Sequence, residues 1–219
     1  MGEVLRQQET CAGRNPGDST IENRSAPRCT LLIRAAKLIT PSGEFLCVIR
    51  DVSTNGINVR IFHALPPETR MTIELQNGDR HEVEFVWQKD DRAGFRFEHE
   101  ADISRIVESP SRFSKRSIRL NISAAATVSA LNGQSALAEI TDLSQQGAKI
   151  VCAGRFAIDE RVRISAPGLP ETNAKVRWRK ELQYGLIFED TYQYGELARI
   201  AQRLQQRDED IPLPPATAC

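Results

Sequence analysis

The strongest constraint on this chain is that it carries one pattern twice. Asp51-Val52-Ser53-Thr54-Asn55-Gly56 is followed 91 residues on (142 − 51) by Asp142-Leu143-Ser144-Gln145-Gln146-Gly147, with Asp, Ser and Gly at the same internal spacing. The same shift lays Ile57 on Ala148, Val59 on Ile150, Ile73 on Ile164, Phe85 on Val176, Trp87 on Trp178, Gly94 on Gly185 and Phe97 on Phe188. Apolar positions keep their parity throughout, which composition bias alone does not do, so the chain is an internal duplication. In a chain of 219 residues each copy has room for one small domain.

The period inside each copy is two, the signature of half-buried strands. In the first copy Leu31, Ile33 and Ala35 share a face, Pro41-Ser42-Gly43 turns the chain, and Phe45, Cys47 and Ile49 alternate with Leu46, Val48 and Arg50. Ile57, Val59 and Ile61 follow the Asp51 turn, then Met71, Ile73 and Leu75 run into Asn77-Gly78, read as a hairpin turn of the I′ type. Val83, Phe85 and Trp87 return on one face, which makes Trp87 and Trp178 core residues, and Phe95 and Phe97 close the unit. Five or six short antiparallel strands per copy predict a small closed barrel, because closure leaves no exposed edge. The expected layout is a polar flexible tail over 1–22, a first domain over 23–101, a linker over 102–111, a second domain over 112–207 and a Pro-rich disordered tail over 208–219. Tyr194, Leu197, Ile200, Ala201 and Leu204 recur at helical spacing, with Arg199, Arg203 and Arg207 on the other side, and predict a C-terminal helix packed on the second domain.

Composition narrows the chemistry. Lys+Arg and Asp+Glu both number 29, so no global field draws the protein to a nucleic-acid polymer or to anionic lipid, and any anion site must be local. The 6% aromatic content is low for a single-strand binder. Five cysteines (Cys11, Cys29, Cys47, Cys152, Cys219) without a C-x-x-C read as packed, reduced thiols. The start lacks an apolar signal core and no run is long enough to span a membrane, so the expectation is a cytoplasmic protein with no membrane insertion. His63, His81 and His99 lack the spacing of a metal-binding pair; glycine-rich phosphate loops and nucleophile motifs are missing, and Ser53 and Ser144 have no evident base. A binding protein without catalytic residues, metal or cofactor is expected.

Arginines precede each Asp turn. Arg24-x-x-x-Arg28 stands just before the first strand of copy 1, and Arg112-x-x-x-Arg116 before that of copy 2, where Lys115 and Arg119 offer an alternative four-residue spacing that the shift of 91 itself selects. A guanidinium is planar, always charged and stacks on aromatic faces, so two on an extended segment can grip phosphates and cover purines. The Asp of the turn can accept from a guanine N–H or orient an arginine, Ser and the turn N–H groups can donate to an oxygen, and Gly supplies a φ above zero.

R-x-x-x-R, then β-pattern, then D-x-S-x-x-G, then closing strands Gly94-Phe95-Arg96-Phe97 and Gly185-Leu186-Ile187-Phe188, resembles the PilZ domain in tandem, over about residues 22 to 205. The resemblance implies two six-stranded antiparallel β-barrels and the bacterial second messenger cyclic di-GMP as ligand. It implies contacts from Arg24, Arg28, Asp51, Ser53 and Gly56 in domain 1. In domain 2 it implies Arg112, Arg116, Asp142, Ser144 and Gly147, with Arg119 as a third arginine. Signal transmission would run through changed domain packing or through a protein partner in motility, biofilm or envelope regulation. The alternative is an adaptor that binds protein without nucleotide.

Overall fold

The computed structural model describes residues 29–108 and 117–206, with side chains over 34–107 and 117–206. Arg24, Arg28, Arg112, Lys115 and Arg116 lie outside the described residues, as do the two expected tails.

The first copy is a closed antiparallel barrel of six strands: β1 (Cys29–Thr40), β2 (Gly43–Ser53), β3 (Gly56–Arg60), β4 (Arg70–Leu75), β5 (Arg80–Lys89) and β6 (Arg92–Phe97), in the order β1-β2-β3-β6-β5-β4 with β4 returning to β1. A short helix, α1 (Ile103–Glu108), follows it. Its first turn is capped by Asp102, whose Oδ1 accepts from the Ser104 amide at 3.0 Å, and Ile106 is buried in the barrel's cluster. The second copy runs β7 (Arg119–Leu120), β8 (Ala124–Ala130), β9 (Ser135–Ser144), β10 (Gly147–Cys152), β11 (Arg161–Ala166), β12 (Leu169–Lys180) and β13 (Gln183–Phe188). β9 pairs with β10 to close its six-stranded barrel, while two-residue β7 adds to β9. α2 (Tyr194–Gln205) completes the described chain. The strand order of the second barrel repeats that of the first, as the duplication predicts.

Each barrel encloses alternate side chains, but the parity differs from expectation at two places. In β1 the register shifts between Thr30 and Arg34, and beyond it Ala36 and Leu38 point into the first barrel, not Ala35. Ala35 and Leu46 are buried on the outer face and belong to the core cluster of the second copy. In β5 and β12 a bulge lies between Phe85 and Trp87 and between Val176 and Trp178. The extra residue reverses parity, so Trp87 and Trp178 are not core: they are 38% and 39% exposed on the barrel surface.

The Asn77-Gly78 hairpin is not type I′. Gly78 alone has a positive φ, at 91°, and the Gly78 amide donates to the Leu75 carbonyl at 2.9 Å while Leu75 donates to Asp79 at 2.8 Å. That is a three-residue loop, a reverse turn followed by a left-handed glycine.

α2 does not pack on the second barrel alone. Leu197, Ala198, Ile200, Ala201 and Leu204 are buried, and the helix lies against β2 of the first barrel as well as β12 of the second. Gln205 fastens its end to the first barrel: Oε1 accepts from the Glu44 amide at 2.8 Å and Nε2 donates to the Glu44 carbonyl at 3.0 Å. This is why β2 is apolar on both faces. Free Cys47 and Cys152 are buried within the cores, and burial pushes the Cys47 thiol far up.

Candidate functional site

The D-x-S-x-x-G segments are the β2–β3 and β9–β10 hairpins. In each the middle apolar residue, Val52 or Leu143, is fully buried in the barrel, which turns the Asp and Ser on either side outward. A second pair of register shifts, between Ile49 and Asp51 and between Lys149 and Ile150, resets the strand so that Asp51 opposes Asn58 and Asp142 opposes Lys149. Ser53 Oγ donates to the Gly56 carbonyl at 3.2 Å and Ser144 Oγ to the Gly147 carbonyl at 3.0 Å, so each hydroxyl's proton closes its own turn and only its acceptor capacity faces outward.

Gly56 and Gly147 are not in the left-handed region, contrary to expectation. Proximity demands them instead. A Cβ on Gly56 would stand 2.8 Å from the Phe95 carbonyl oxygen, and one on Gly147 2.0 Å from that of Leu186. The strand that follows the turn lies against its neighbour more closely than any side chain permits.

The paired registers place one residue from each of four strands in a single row. In the first barrel it reads Asp51, Asn58, Gly94, Trp87; in the second Asp142, Lys149, Gly185, Trp178. At about 4.8 Å between strands the row crosses about 14 Å of barrel surface. Its far end is an aromatic platform. A Cβ built on Gly94 would stand 2.2 Å from the Trp87 indole nitrogen, and one on Gly185 2.0 Å from that of Trp178, so each indole lies flat on a glycine. Each ring remains partly exposed. The bulge that exposes the tryptophan also turns its predecessor outward, Val86 in the first barrel and Arg177 in the second, both exposed.

In the second barrel three members of this row, Lys149, Gly185 and Trp178, line a cleft of about 200 Å³ bounded also by Arg119, Ser144, Gly147 and Arg177. Arg119 Nη1 lies 3.3 Å from Asp142 Oδ2, with the carboxylate largely covered and the guanidinium half out. The register also bears on which arginines precede the site. Leu120 pairs with Leu143 as Cys29 pairs with Val52, so Arg119 has the sequence place before Leu120 that Arg28 has before Cys29. Asp51, Ser53 and Gly56, and Arg119, Asp142, Ser144 and Gly147, thus lie on matching faces of the two barrels.

Sequence reasoning missed Trp87, Trp178, Lys149 and Arg177. The shift of 91 carries the signal for the last two, because it aligns Lys149 with Asn58 and Arg177 with Val86, pairs whose charge differs between the copies. Among the described residues no group of three or more His, Cys, Asp or Glu side chains converges as a metal site, and no helix is long and apolar enough to cross a membrane.

Beside the second site runs a buried polar cluster that joins the two copies. Lys37 Nζ donates to Glu44 Oε2 at 2.9 Å and to the Arg119 carbonyl at 3.4 Å, and lies 3.2 Å from Glu74 Oε1. The Asn121 amide and its Nδ2 donate to the two Glu44 oxygens at 2.9 and 2.7 Å. The residue whose side chain meets Asp142 is therefore held through its backbone by the first barrel.

These observations define the class: a tandem of antiparallel barrels, each with a polar turn and an aromatic platform on one outer face. The PilZ domain family model matches residues 22–109 and again 110–205, and the chain belongs to that family. Among solved structures it is similar to PlzA of Borreliella burgdorferi in complex with c-di-GMP, at 12% identity and TM-score 0.33, covering 77% of this chain and 88% of that one. It is also similar to the Bacillus subtilis inhibitor of motility MotI/DgrA, at 14% identity and TM-score 0.35, covering 84% and 100%. A third, Escherichia coli YcgR in complex with c-di-GMP, has 12% identity and TM-score 0.31, covering 81% and 86%. No curated protein matches the chain.

Proposed function

We propose that this chain is a receptor for cyclic di-GMP that binds the nucleotide on the outer face of each barrel and signals through the packing of the two. The observation that carries it is the repeated row of Asp, polar residue, Gly and Trp, with the family's motif in both copies. A flat aromatic supported on glycine offers a stacking face to a purine, the Asp accepts from base N–H groups or orients an arginine, and guanidinium groups neutralise the phosphates.

In domain 1 the ligand contacts are Arg24, Arg28, Asp51, Ser53 and Gly56. In domain 2 they are Asp142, Ser144 and Gly147 with arginines from the segment that holds Arg112, Arg116 and Arg119. The matching register of Leu120 and Cys29 supports Arg119 as the counterpart of Arg28, with Lys115 in the place of Arg24. Transmission follows from the Arg119 to Asn121 segment, since a ligand that draws the Arg119 side chain from Asp142 pulls on a backbone anchored by Lys37 and Glu44. The ligand shifts the packing only by its differential affinity for the two arrangements. The protein partner such a receptor would address lies in motility, biofilm or envelope regulation.

Isothermal titration with cyclic di-GMP tests the reading. Saturable heat is expected, with Asp51→Ala weakening one site and Asp142→Ala the other. Arg116→Ala and Arg119→Ala, compared in the Asp51→Ala background, decide which arginine serves site 2. Absence of binding at hundreds of micromolar overturns the proposal in favour of a nucleotide-independent adaptor.

A further inference from the structure

The two barrels share a fold, a turn and a platform, and differ at the centre of the row. Between motif Asp and glycine-borne Trp the second barrel has Lys149, half-buried, where the first has Asn58, 8% exposed. Asn58 Oδ1 is buried and has no hydrogen-bond partner among the described residues, whereas a lysine ammonium in that place is a charged donor. Next to the platform the bulge turns out Arg177 in the second barrel and Val86 in the first. Lys149 and Arg177 both line the cleft that also contains Arg119. The second face therefore carries two cations outside the duplicated motifs, one directly beside Asp142 and one directly beside Trp178. The first face carries at those positions a neutral amide and an apolar side chain.

We infer that Lys149 and Arg177 are specificity-determining residues that add phosphate-reading charge to the second barrel, so that its affinity depends more steeply on ionic strength than that of the first, which has Asn58 and Val86 in their places. This rests on the cyclic di-GMP reading and deepens it: one ligand, two unequal sites with different physical signatures. A dianionic ligand on a face with two added cations gains attraction that salt screens, beyond what the motif arginines common to both faces supply. The sites should differ in salt dependence as well as in strength.

The test uses the full-length chain with one site disabled, Asp51→Ala to leave site 2 and Asp142→Ala to leave site 1, titrated with cyclic di-GMP at 50 and 300 mM salt. Site 2 is expected to bind more tightly and to weaken more steeply over that range than site 1. In the site 2 background Lys149→Asn and Arg177→Val, the residues of the first barrel, should each lower affinity by about tenfold and flatten the salt dependence, the order of one charge-assisted hydrogen bond. The reciprocal Asn58→Lys with Val86→Arg in the site 1 background should steepen the salt dependence there, which keeps the test decisive if a loss variant folds poorly. Equal affinities and salt slopes at the two sites, or substitutions that move neither, overturn the inference and leave the receptor reading standing. No binding by the unsubstituted chain at either salt overturns both.

Discussion

Gly56 and Gly147 are legible in sequence as turn glycines, and their position is right while the reason is different. Neither needs a left-handed backbone; each sits where a neighbouring carbonyl oxygen fills the place of a Cβ. Because that oxygen is backbone, it can give way only by opening the strand pair. Gly147→Ala is expected to cost about 1–3 kcal/mol in urea unfolding, and Gly56→Ala, with 0.8 Å more room (2.8 against 2.0 Å), distinctly less. Two histidines supply a pH dependence. Burial pushes His63 and His81 below the ordinary value of 6.5, the His63 bond to the Ala64 carbonyl opposing only in part. Since the unfolded chain then binds protons more readily, their contribution is complete above pH 6.5 and is lost as pH falls toward the folded values. The urea midpoint should drop between pH 7.5 and 5.5, and drop less in the double variant His63→Gln, His81→Gln. Such residues escape sequence reading because burial, not identity, sets their behaviour.

At the scale of the element, the duplication made the strands and their closure readable, and bulges made part of the facing unreadable. A single extra residue before Trp87 or Trp178 leaves composition unchanged yet moves an indole from core to surface. The apolar outer face of β2 was equally opaque, because what covers it, α2, comes from the other end of the chain. The polar link between the two barrels is the buried cluster of Lys37, Glu44 and Asn121. Removing one partner leaves the others desolvated and unmatched, so Glu44→Ala should lower stability by about 3 kcal/mol. Arg80→Ala, which removes an exposed partner of Glu74 2.7 Å away, should cost under about 1 kcal/mol in the same measurement. If Glu44→Ala is as mild as Arg80→Ala, the cluster does not hold the barrels together.

At the scale of the molecule, a chain repeated in sequence is not divisible in structure. Ala35 and Leu46 of the first barrel are buried in the second copy's core cluster, and α2 lies between the two. Calorimetry should accordingly show one cooperative transition with coincident loss of both barrels, where independent units would show two. A fragment of residues 1–109 would expose Ala35 and Leu46 and is expected to melt below the whole chain.

The resting place of the two indoles has a further consequence. The chain has only two tryptophans, and each lies on a glycine in the candidate face of its own barrel. Intrinsic fluorescence excited at the red edge therefore originates at these two faces alone, and Trp87→Phe or Trp178→Phe leaves an emitter in one. A nucleotide stacked on the exposed part of the remaining ring would quench it directly. The fold thus carries one optical reporter per candidate face, with no label to attach.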